Sequence, residues 1–282
     1  MQGIAMADWT ISKLSGHCGA RLMGGTLTDL SDTSLSTVKA ALFAYGVIAV
    51  PDQHLSPEAH TPLARAFCEI DVNRFFTPVE GYPHIAEVRT RPDQTAVIGG
   101  TWHSDHSYDP VPAAISILSA QTVPPYGGDT HFASQVAACA QLSDGLRAML
   151  GGLWACHSDA SFADSALEMN QDPSAYHGTV RHPVIIRHPE TGAKALYVHG
   201  DFTTQFDGWR VSESAPLLEY LYRFCTQPIL TCRVMWAPGM VVLWDNRLVQ
   251  HYATADYAGH ARLMHRITVA GTALEPATVS AV

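Results

Sequence analysis

From residue 98 onward the chain consists of short apolar runs, rich in β-branched residues and bounded by Gly, Pro or Asp. They lie at 113–120, 182–188, 194–200, 231–237, 240–245 and 263–271. Many short strands separated by turn residues are typical of a β-sandwich or barrel. Between them, 212–228 has the pattern of an amphipathic helix and 135–152 that of a helical pair. The expected fold is therefore mainly β, with helices flanking a barrel core.

The first 97 residues have a mixed pattern. The predicted elements, in order, are a strand that enters a turn at 19–31, a helix at 34–46, a short buried strand closed by Pro51 at 47–56 and a helix at 57–70. Ser34 is the expected N-cap of the first helix, and Gly46 ends it. Although 282 residues also allow two domains, we expect a single catalytic domain, in which an α+β part (1–97) packs on the core (98–282).

Composition excludes several classes of protein. The net charge of −9 and the isoelectric point near 5.9 argue against a nucleic-acid partner, because phosphate binding needs a basic surface. The six cysteines form no C-x-x-C pair, so neither a zinc ribbon nor a dense disulfide framework is expected. The sequence contains no apolar run of about 18 residues and no secretory signal pattern. We therefore expect no membrane partner, reduced thiols and a cytoplasmic location.

Residues 101–110, TWHSDHSYDP, concentrate histidine and aspartate in a chain that is only 15% charged. Such a stretch is either a polar surface turn or half of a metal site. In a strand, His103 and Asp105 would face the same side and reach one ion, whereas His106 would face away towards a pocket rim. His251 lies beside a later apolar strand, and two histidines with one carboxylate form the facial triad of non-haem iron. A chain with fifteen histidines also produces H-x-D by chance.

Two arginines follow His251 on a strand-like run. Alternation places Arg262 and Arg266 on one face, and burial of this face would require two anions to meet them. The alternative is a solvated face, which the upstream metal-site pattern disfavours. Upstream, PPYGGDTHF (124–132) reads by itself as an ordinary hairpin, in which Thr130 can donate its hydroxyl to a carboxylate.

Together these motifs resemble the taurine dioxygenase / TfdA family of Fe(II)- and 2-oxoglutarate-dependent dioxygenases. The matching stretches are WHSD (102–105), PP-x-GGDT (124–130), WDNR-x-x-QHYA-x-ADY (244–257) and R-x-x-x-R (262–266). The order of the motifs and the 148 positions from His103 to His251 also fit the family. The resemblance extends over nearly the whole chain.

The resemblance implies a double-stranded β-helix (jelly-roll, cupin-like) core that uses Fe(II), 2-oxoglutarate and O2. His103, Asp105 and His251 would hold the iron and so be the catalytic group. Thr130 and Arg262 would bind the far carboxylate of 2-oxoglutarate. Arg266 would hold an anionic substrate, and the match to family positions adds Phe202 to the pocket. Residues 156–180 would form a lid, and the protein would be a dimer or tetramer.

The pocket departs from that of the taurine enzyme. Asn73 and Phe76 replace a His and a Tyr that help to hold taurine there, and His106 and Tyr108 make this pocket rim more polar. We therefore expect another small organic anion: a sulfonate, a sulfate ester, an aryloxyalkanoate or an amino-acid-like metabolite. The outcome would be hydroxylation, with fragmentation or desaturation as alternatives.

Two rival functions use the same residues. A non-catalytic jelly-roll protein could bind a metal or an anion without turnover, and the joint presence of the triad, Thr130 and Arg262 argues against it. A zinc hydrolase would need a general base, and no candidate is evident in the sequence.

Overall fold

The structure is a computed structural model that describes residues 4–6, 8–72, 76–94, 99–160 and 178–278. The strands are β1 (Ile4–Met6), β2 (Trp9–Lys13), β3 (Ala20–Met23), β4 (Val47–Val50), β5 (Ile70–Asp71), β6 (Pro78–Val79), β7 (Tyr82–Thr90), β8 (Ala113–Thr122), β9 (Thr130–Ser134), β10 (Trp154–Ser158), β11 (Thr179–Pro183), β12 (Ile185–Arg187), β13 (Lys194–Leu196), β14 (Thr203–Phe206), β15 (Thr231–Val234), β16 (Val241–Asp245), β17 (Val249–Ala253), β18 (Arg262–Ala270) and β19 (Glu275–Pro276). The helices are α1 (Asp32–Tyr45), α2 (Pro57–Arg65), α3 (Gln135–Gln141), α4 (Asp144–Leu150) and α5 (Val211–Cys225).

One large sheet organises the molecule. Its strand order is β1-β2-β3-β4-β16-β8-β18-β7-β6, and β5 pairs with β18 as a short branch. Three smaller sheets, β15-β9-β17, β11-β10-β14 and β13-β12-β19, complete the β structure. The predicted mainly β, jelly-roll fold with flanking helices is confirmed.

Strand alternation divides the interior into two apolar layers. On β8, Ile115 and Ile117 belong to the layer under α1 and α2, whereas Leu118 and Ala120 face the sheet β15-β9-β17. On β18, Ile267 belongs to the first layer in the same way. The large sheet is therefore apolar on both faces, and polar side chains on its inner face need a specific reason to be there.

The helices differ from the predictions at their ends. Ser31, not Ser34, caps α1, because its side chain accepts the N–H of Ser34. The Ser34 hydroxyl instead accepts a hydrogen bond from Trp9 Nε1 at 2.7 Å. Gly46 ends α1 as predicted, with a φ of 75° that suits glycine. The predicted helix at 57–70 was too long, since α2 ends at Arg65 and the chain then enters β5.

The predicted run at 182–188 is two strands, because β11 pairs with β10 and β12 pairs with β13. The predicted lid at 156–180 begins and ends in strands, since Ser158 of β10 lies opposite Thr179 of β11. Residues 161–177 lie outside the described residues, so the lid stays a prediction. The helices in the described ranges are all too short or too polar to cross a membrane.

We predict that stability falls in mild acid, in part through His60 of α2. Burial, reinforced by repulsion from His265, lowers the pKa of His60 to about 3. Below an unfolded pKa of about 6.5 the unfolded chain binds a proton that the folded chain does not. The free energy of unfolding therefore decreases as the pH is lowered. In His60→Leu, the loss between about pH 7 and pH 5 should shrink by about 2 kcal/mol. Urea denaturation at both pH values measures it.

The matched control is His17→Leu, because His17 is an exposed histidine. This variant should keep the pH dependence of the parent protein. An equal loss of stability in acid for the parent and the His60→Leu protein would contradict the prediction.

Candidate metal centre

His103 and His251 are joined by an isolated antiparallel bridge. The N–H of His103 donates to the His251 carbonyl at 3.0 Å, and the reverse bond is 2.9 Å. His251 lies within β17, which pairs with β9. The bridge therefore attaches the 101–110 segment to β17. The two imidazole rings lie 4.2 Å apart between centroids.

Asp105 begins a turn and does not continue a strand, so the predicted strand geometry of H-x-D is wrong. The reason is local: His106 adopts a φ of 56°, in the left-handed region, and reverses the chain. The side chains nevertheless converge. One ligand atom each from His103, Asp105 and His251 lies within 4.8 Å of the others, and all three residues are buried.

The protonation states suit a cation. His103 Nδ1 donates to the Thr101 carbonyl at 2.7 Å, which leaves Nε2 as a lone-pair donor, 3.8 Å from Asp105 Oδ1. Burial and the neighbouring His103 lower the pKa of His251 to about 3, so this ring is neutral near pH 7. Burial alone would raise the pKa of Asp105, but Arg266 and His251 hold it well below its usual range. The site therefore offers one carboxylate, the neutral imidazole of His251 and the Nε2 atom of His103.

Further polar groups surround Asp105. Ser116 Oγ donates to Asp105 Oδ2 at 2.6 Å, and Asn246 Oδ1 accepts the Asp105 N–H at 3.2 Å. Sequence reasoning missed both residues. Ser116 lies in an apolar run without any signal, whereas Asn246 belongs to the WDNR motif and could have been considered.

Arg262 and Thr130 lie on the same cavity as the histidines. This cavity of about 60 Å³ is also lined by His103, His251 and Arg266. Arg262 is 4% exposed, and its Nε has no hydrogen-bond partner among the described residues. Burial lowers its pKa, although the group stays cationic.

Trp236 contacts both Arg262 and Thr130. Its ring lies 5.7 Å from the Arg262 guanidinium, and its Nε1 donates to Thr130 Oγ1 at 3.0 Å. The Thr130 hydroxyl proton is not used in that bond and remains available to an acceptor. This tryptophan was also missed, since it stands in a strand-like run like many others.

Arg266 lies between two cavities. Its NH1 donates to Asp105 Oδ1 at 3.1 Å, and its guanidinium packs over the Phe76 ring at 4.7 Å. Arg266 and Phe76 line both the small cavity and a second one of about 190 Å³. The second cavity is also lined by Ala86 and Thr268, whose hydroxyl is buried without a partner in the described structure.

The other residues predicted to bind substrate lie elsewhere. His106 is buried, and its Nδ1 lies 2.7 Å from Asp71 Oδ2. Tyr108 packs edge-on against Phe202, 4.9 Å between ring centroids, and Phe202 lies 6.0 Å from the His103 ring. These three residues are not among those that line the two cavities. Asn73 lies outside the described residues.

Three buried histidines hold the turn behind Asp105. The Ser107 hydroxyl lies 2.9 Å from His199 Nε2 and 3.2 Å from His157 Nδ1, and the Ser107 carbonyl accepts from His182 Nε2 at 2.9 Å. Burial lowers the pKa of each of these histidines. The cluster is therefore neutral and anchors the turn to β10 and β11.

A buried ion pair holds the segment that leads to His251. Arg247 donates to Asp245 through Nε at 2.9 Å and through NH2 at 2.6 Å, and His188 Nε2 lies 3.0 Å from the same carboxylate. Burial alone would raise the pKa of Asp245, but Arg247 and His188 lower it to about 2.

Comparison with known proteins gives one consistent family. The family model described as "Taurine catabolism dioxygenase TauD, TfdA family" matches residues 10–268. The (S)-phenoxypropionate/alpha-ketoglutarate-dioxygenase of Sphingobium herbicidovorans is 32% identical over 96% of this chain and 97% of its own length. The alpha-ketoglutarate-dependent sulfate ester dioxygenase of Pseudomonas putida is 30% identical over 93% of this chain and 89% of its own. A taurine dioxygenase from Burkholderia xenovorans superposes with a TM-score of 0.81 and 32% identity, covering 95% of this chain and 91% of that one.

We predict that Arg247→Met lowers the free energy of unfolding by about 3–5 kcal/mol, because it leaves the Asp245 charge buried and unpaired. Urea denaturation provides the measurement. Arg187→Met is the matched control, since Arg187 pairs with Glu275 at the surface, and its loss should stay below about 1 kcal/mol. Equal losses in the two variants would show that the buried pair does not stabilise this segment.

Proposed function

Because the chain belongs to the taurine catabolism dioxygenase TauD, TfdA family, we propose that His103, Asp105 and His251 bind its Fe(II). The convergence of their three buried ligand atoms within 4.8 Å carries the proposal. Two imidazoles and a carboxylate form the facial donor set that leaves three metal positions open. The His251 imidazole is neutral near pH 7, and the Thr101 carbonyl orients the His103 ring so that its Nε2 faces Asp105.

The protein is a 2-oxoglutarate-dependent non-haem iron dioxygenase. When bound, Fe(II), 2-oxoglutarate and O2 supply the oxidising chemistry, in which the cosubstrate yields succinate and CO2 while a substrate C–H bond is oxidised. The side chains of this protein hold the reactants, keep Asp105 ionised through Arg266 and exclude water from the buried centre.

Arg262 and Thr130 bind the far carboxylate of 2-oxoglutarate. A buried guanidinium whose Nε lacks a partner requires an anion to offset its desolvation. Thr130 still has its hydroxyl proton to donate, because Trp236 supplies the other hydrogen bond. Both residues line the cavity that His103 and His251 share, so the other end of the cosubstrate reaches the metal position.

Arg266 binds the anionic group of the substrate, and the second cavity receives the rest of the molecule. The metal-side cavity of about 60 Å³ is too small to take a ring-sized group as well as the metal and its cosubstrate. The second cavity is about 190 Å³, and a cavity of roughly 150 Å³ is known to hold benzene. Phe76 and Ala86 give it apolar walls. Among sulfonates, sulfate esters, aryloxyalkanoates and amino-acid-like metabolites, this volume favours an anion with a ring-sized apolar group.

The proposed metal and cosubstrate sites are tested by anaerobic reconstitution with Fe(II) and 2-oxoglutarate. The parent protein should show the visible charge-transfer band of the chelate, and His103→Ala and His251→Ala should lose both the band and turnover. Arg262→Met should need at least about 30-fold more 2-oxoglutarate, as expected for losing about 2 kcal/mol from a buried charged contact. Arg266→Ala should mainly raise the substrate requirement.

Arg89→Met is the control for Arg262→Met, because Arg89 lies opposite Leu263 on the neighbouring strand and pairs with Glu87 at the surface. The Arg89→Met protein should need the same concentration of 2-oxoglutarate as the parent protein. Full activity of His251→Ala would contradict the metal assignment. Bound iron without a band in the parent protein would instead favour the non-catalytic binding protein.

We predict that Ala86→Leu fills the second cavity and selects against large substrates. In the parent protein, 2-phenoxypropionate should bind at least about tenfold more tightly than taurine, because burying a ring contributes about 1.5–3 kcal/mol. Ala86→Leu should remove that advantage and leave taurine binding unchanged. Calorimetric titration of the metal- and cosubstrate-loaded protein under anaerobic conditions measures both affinities.

Ala137→Leu is the matched control, since Ala137 lines a separate groove between α1 and α3. The Ala137→Leu protein should prefer 2-phenoxypropionate over taurine as strongly as the parent protein does. Equal binding of the two anions by the parent protein would refute the proposed use of the second cavity.

A further inference from the structure

Three hydrogen bonds form a closed ring around Asp105. The Asp105 N–H donates to Asn246 Oδ1 at 3.2 Å, Asn246 Nδ2 donates to Ser116 Oγ at 3.0 Å, and Ser116 Oγ donates to Asp105 Oδ2 at 2.6 Å. The ring starts and ends on the same residue and holds both its backbone and its carboxylate. All three residues are buried, at 3% exposure or less.

The direction of every bond in the ring is fixed by chemistry. Asn246 Oδ1 accepts two N–H groups, from Asp105 and from Trp244 Nε1 at 2.9 Å, and only the oxygen of an amide can do so. The amide nitrogen must therefore face Ser116, whose oxygen accepts one of its protons. The single Ser116 hydroxyl proton is then directed at Asp105 Oδ2.

The ring is built on rigid elements. Ser116 lies within β8, where it is opposite Trp244 of β16 and Thr268 of β18. The Asn246 N–H donates to the Ala114 carbonyl at 2.8 Å, directly after β16. The ring therefore ties Asp105, which lies in a turn, to the central strands of the large sheet.

The two carboxylate oxygens have different surroundings. Oδ2 accepts the Ser116 proton, whereas Oδ1 lies 3.8 Å from His103 Nε2 and 3.1 Å from Arg266 NH1. A carboxylate held by one oxygen cannot rotate about its last bond without breaking that hydrogen bond. Oδ1, the oxygen on the side of His103 Nε2, would then be the one presented to the metal.

We propose that Ser116 and Asn246 are positioning residues that fix the Asp105 carboxylate and so set the affinity of the site for its divalent metal. The inference rests on the proposed metal site. A purely structural role for the ring would affect the stability of the protein and leave metal affinity unchanged. Partners of metal ligands outside the coordination sphere typically change metal affinity by about 10–100-fold when they are removed.

The test measures Mn(II) binding to the metal-free protein from the electron paramagnetic resonance signal of the free ion. Ser116→Ala should weaken binding by about 10–100-fold, and the spectrum of bound Mn(II) should change because the carboxylate can rotate. The matched control is Ser119→Ala. Ser119 lies on the same strand, is equally buried, and contacts Gln121 instead of Asp105.

Asn246→Ala provides a second variant, and the double variant completes a thermodynamic cycle. Both residues act through one carboxylate. The factor by which the double variant loses Mn(II) affinity should therefore be clearly smaller than the product of the factors for the two single variants. If Ser116→Ala does not fold, Asn246→Ala compared with Ser119→Ala decides the question in the same way.

The outcomes separate the two proposals. A parent protein that binds no Mn(II), or binds it equally after His251→Ala, refutes the proposed metal site itself. A parent protein that binds Mn(II) through His251, with Ser116→Ala and Ser119→Ala indistinguishable from it, refutes the positioning role alone. Weakened binding in Ser116→Ala with normal binding in Ser119→Ala supports the proposal.

Discussion

The paired backbone hydrogen bonds between His103 and His251 are the constraint on which the centre depends. They join residues 148 positions apart, at 3.0 and 2.9 Å, and set the two imidazoles side by side. Closing a loop of that length costs entropy that two hydrogen bonds cannot repay. The bridge therefore exists because the pairing of β9 with β17 and the packing of the sheets have already brought the chain there. The site is a consequence of the completed fold.

Buried charges in this protein divide into two kinds. Asp245 and Arg247 satisfy each other through two hydrogen bonds, and such a pair needs nothing from outside. Arg262 is as deeply buried, but its Nε has no partner within the described ranges. Burying a cation without an anionic partner is costly, and a bound anion offsets that cost. The internal pairing of Asp245 and Arg247 therefore supports the fold, whereas the missing Nε partner of Arg262 supports the proposal that Arg262 binds the cosubstrate.

Much of the architecture was accessible from sequence because it depends on local periodicity. The alternation on β18 correctly placed Arg262 and Arg266 on one face, and the short apolar runs predicted the strands of the core. The failures have a common cause in tertiary structure. The left-handed φ of His106 ends the strand expected at Asp105, and no local pattern announces it. Ser116 lies 11 positions from Asp105 and Asn246 lies 141 away, so their ring is invisible until the sheet is assembled.

The single-domain organisation, the cytoplasmic location and the dimer or tetramer stay predictions, as does the lid at 156–180. Phe76 and Arg266 lie together at the proposed substrate side. His106 and Tyr108 lie in the turn that follows Asp105, and Phe202 packs against Tyr108 and the His103 ring.

The placement of two arginines on one strand has a functional consequence. Arg262 and Arg266 are four residues apart on the inner face of β18, which corresponds to about 14 Å along a strand. Arg262 lines the small cavity, where we propose that the cosubstrate binds, and Arg266 lines both that cavity and the larger one. Because β18 pairs with β7 on one side and β8 on the other, the spacing is rigid. This spacing suits the proposal that two anions bind at the same time, each at its own arginine. A flexible loop carrying the same two residues would hold them less accurately, and small errors in the placement of reacting groups are costly in rate.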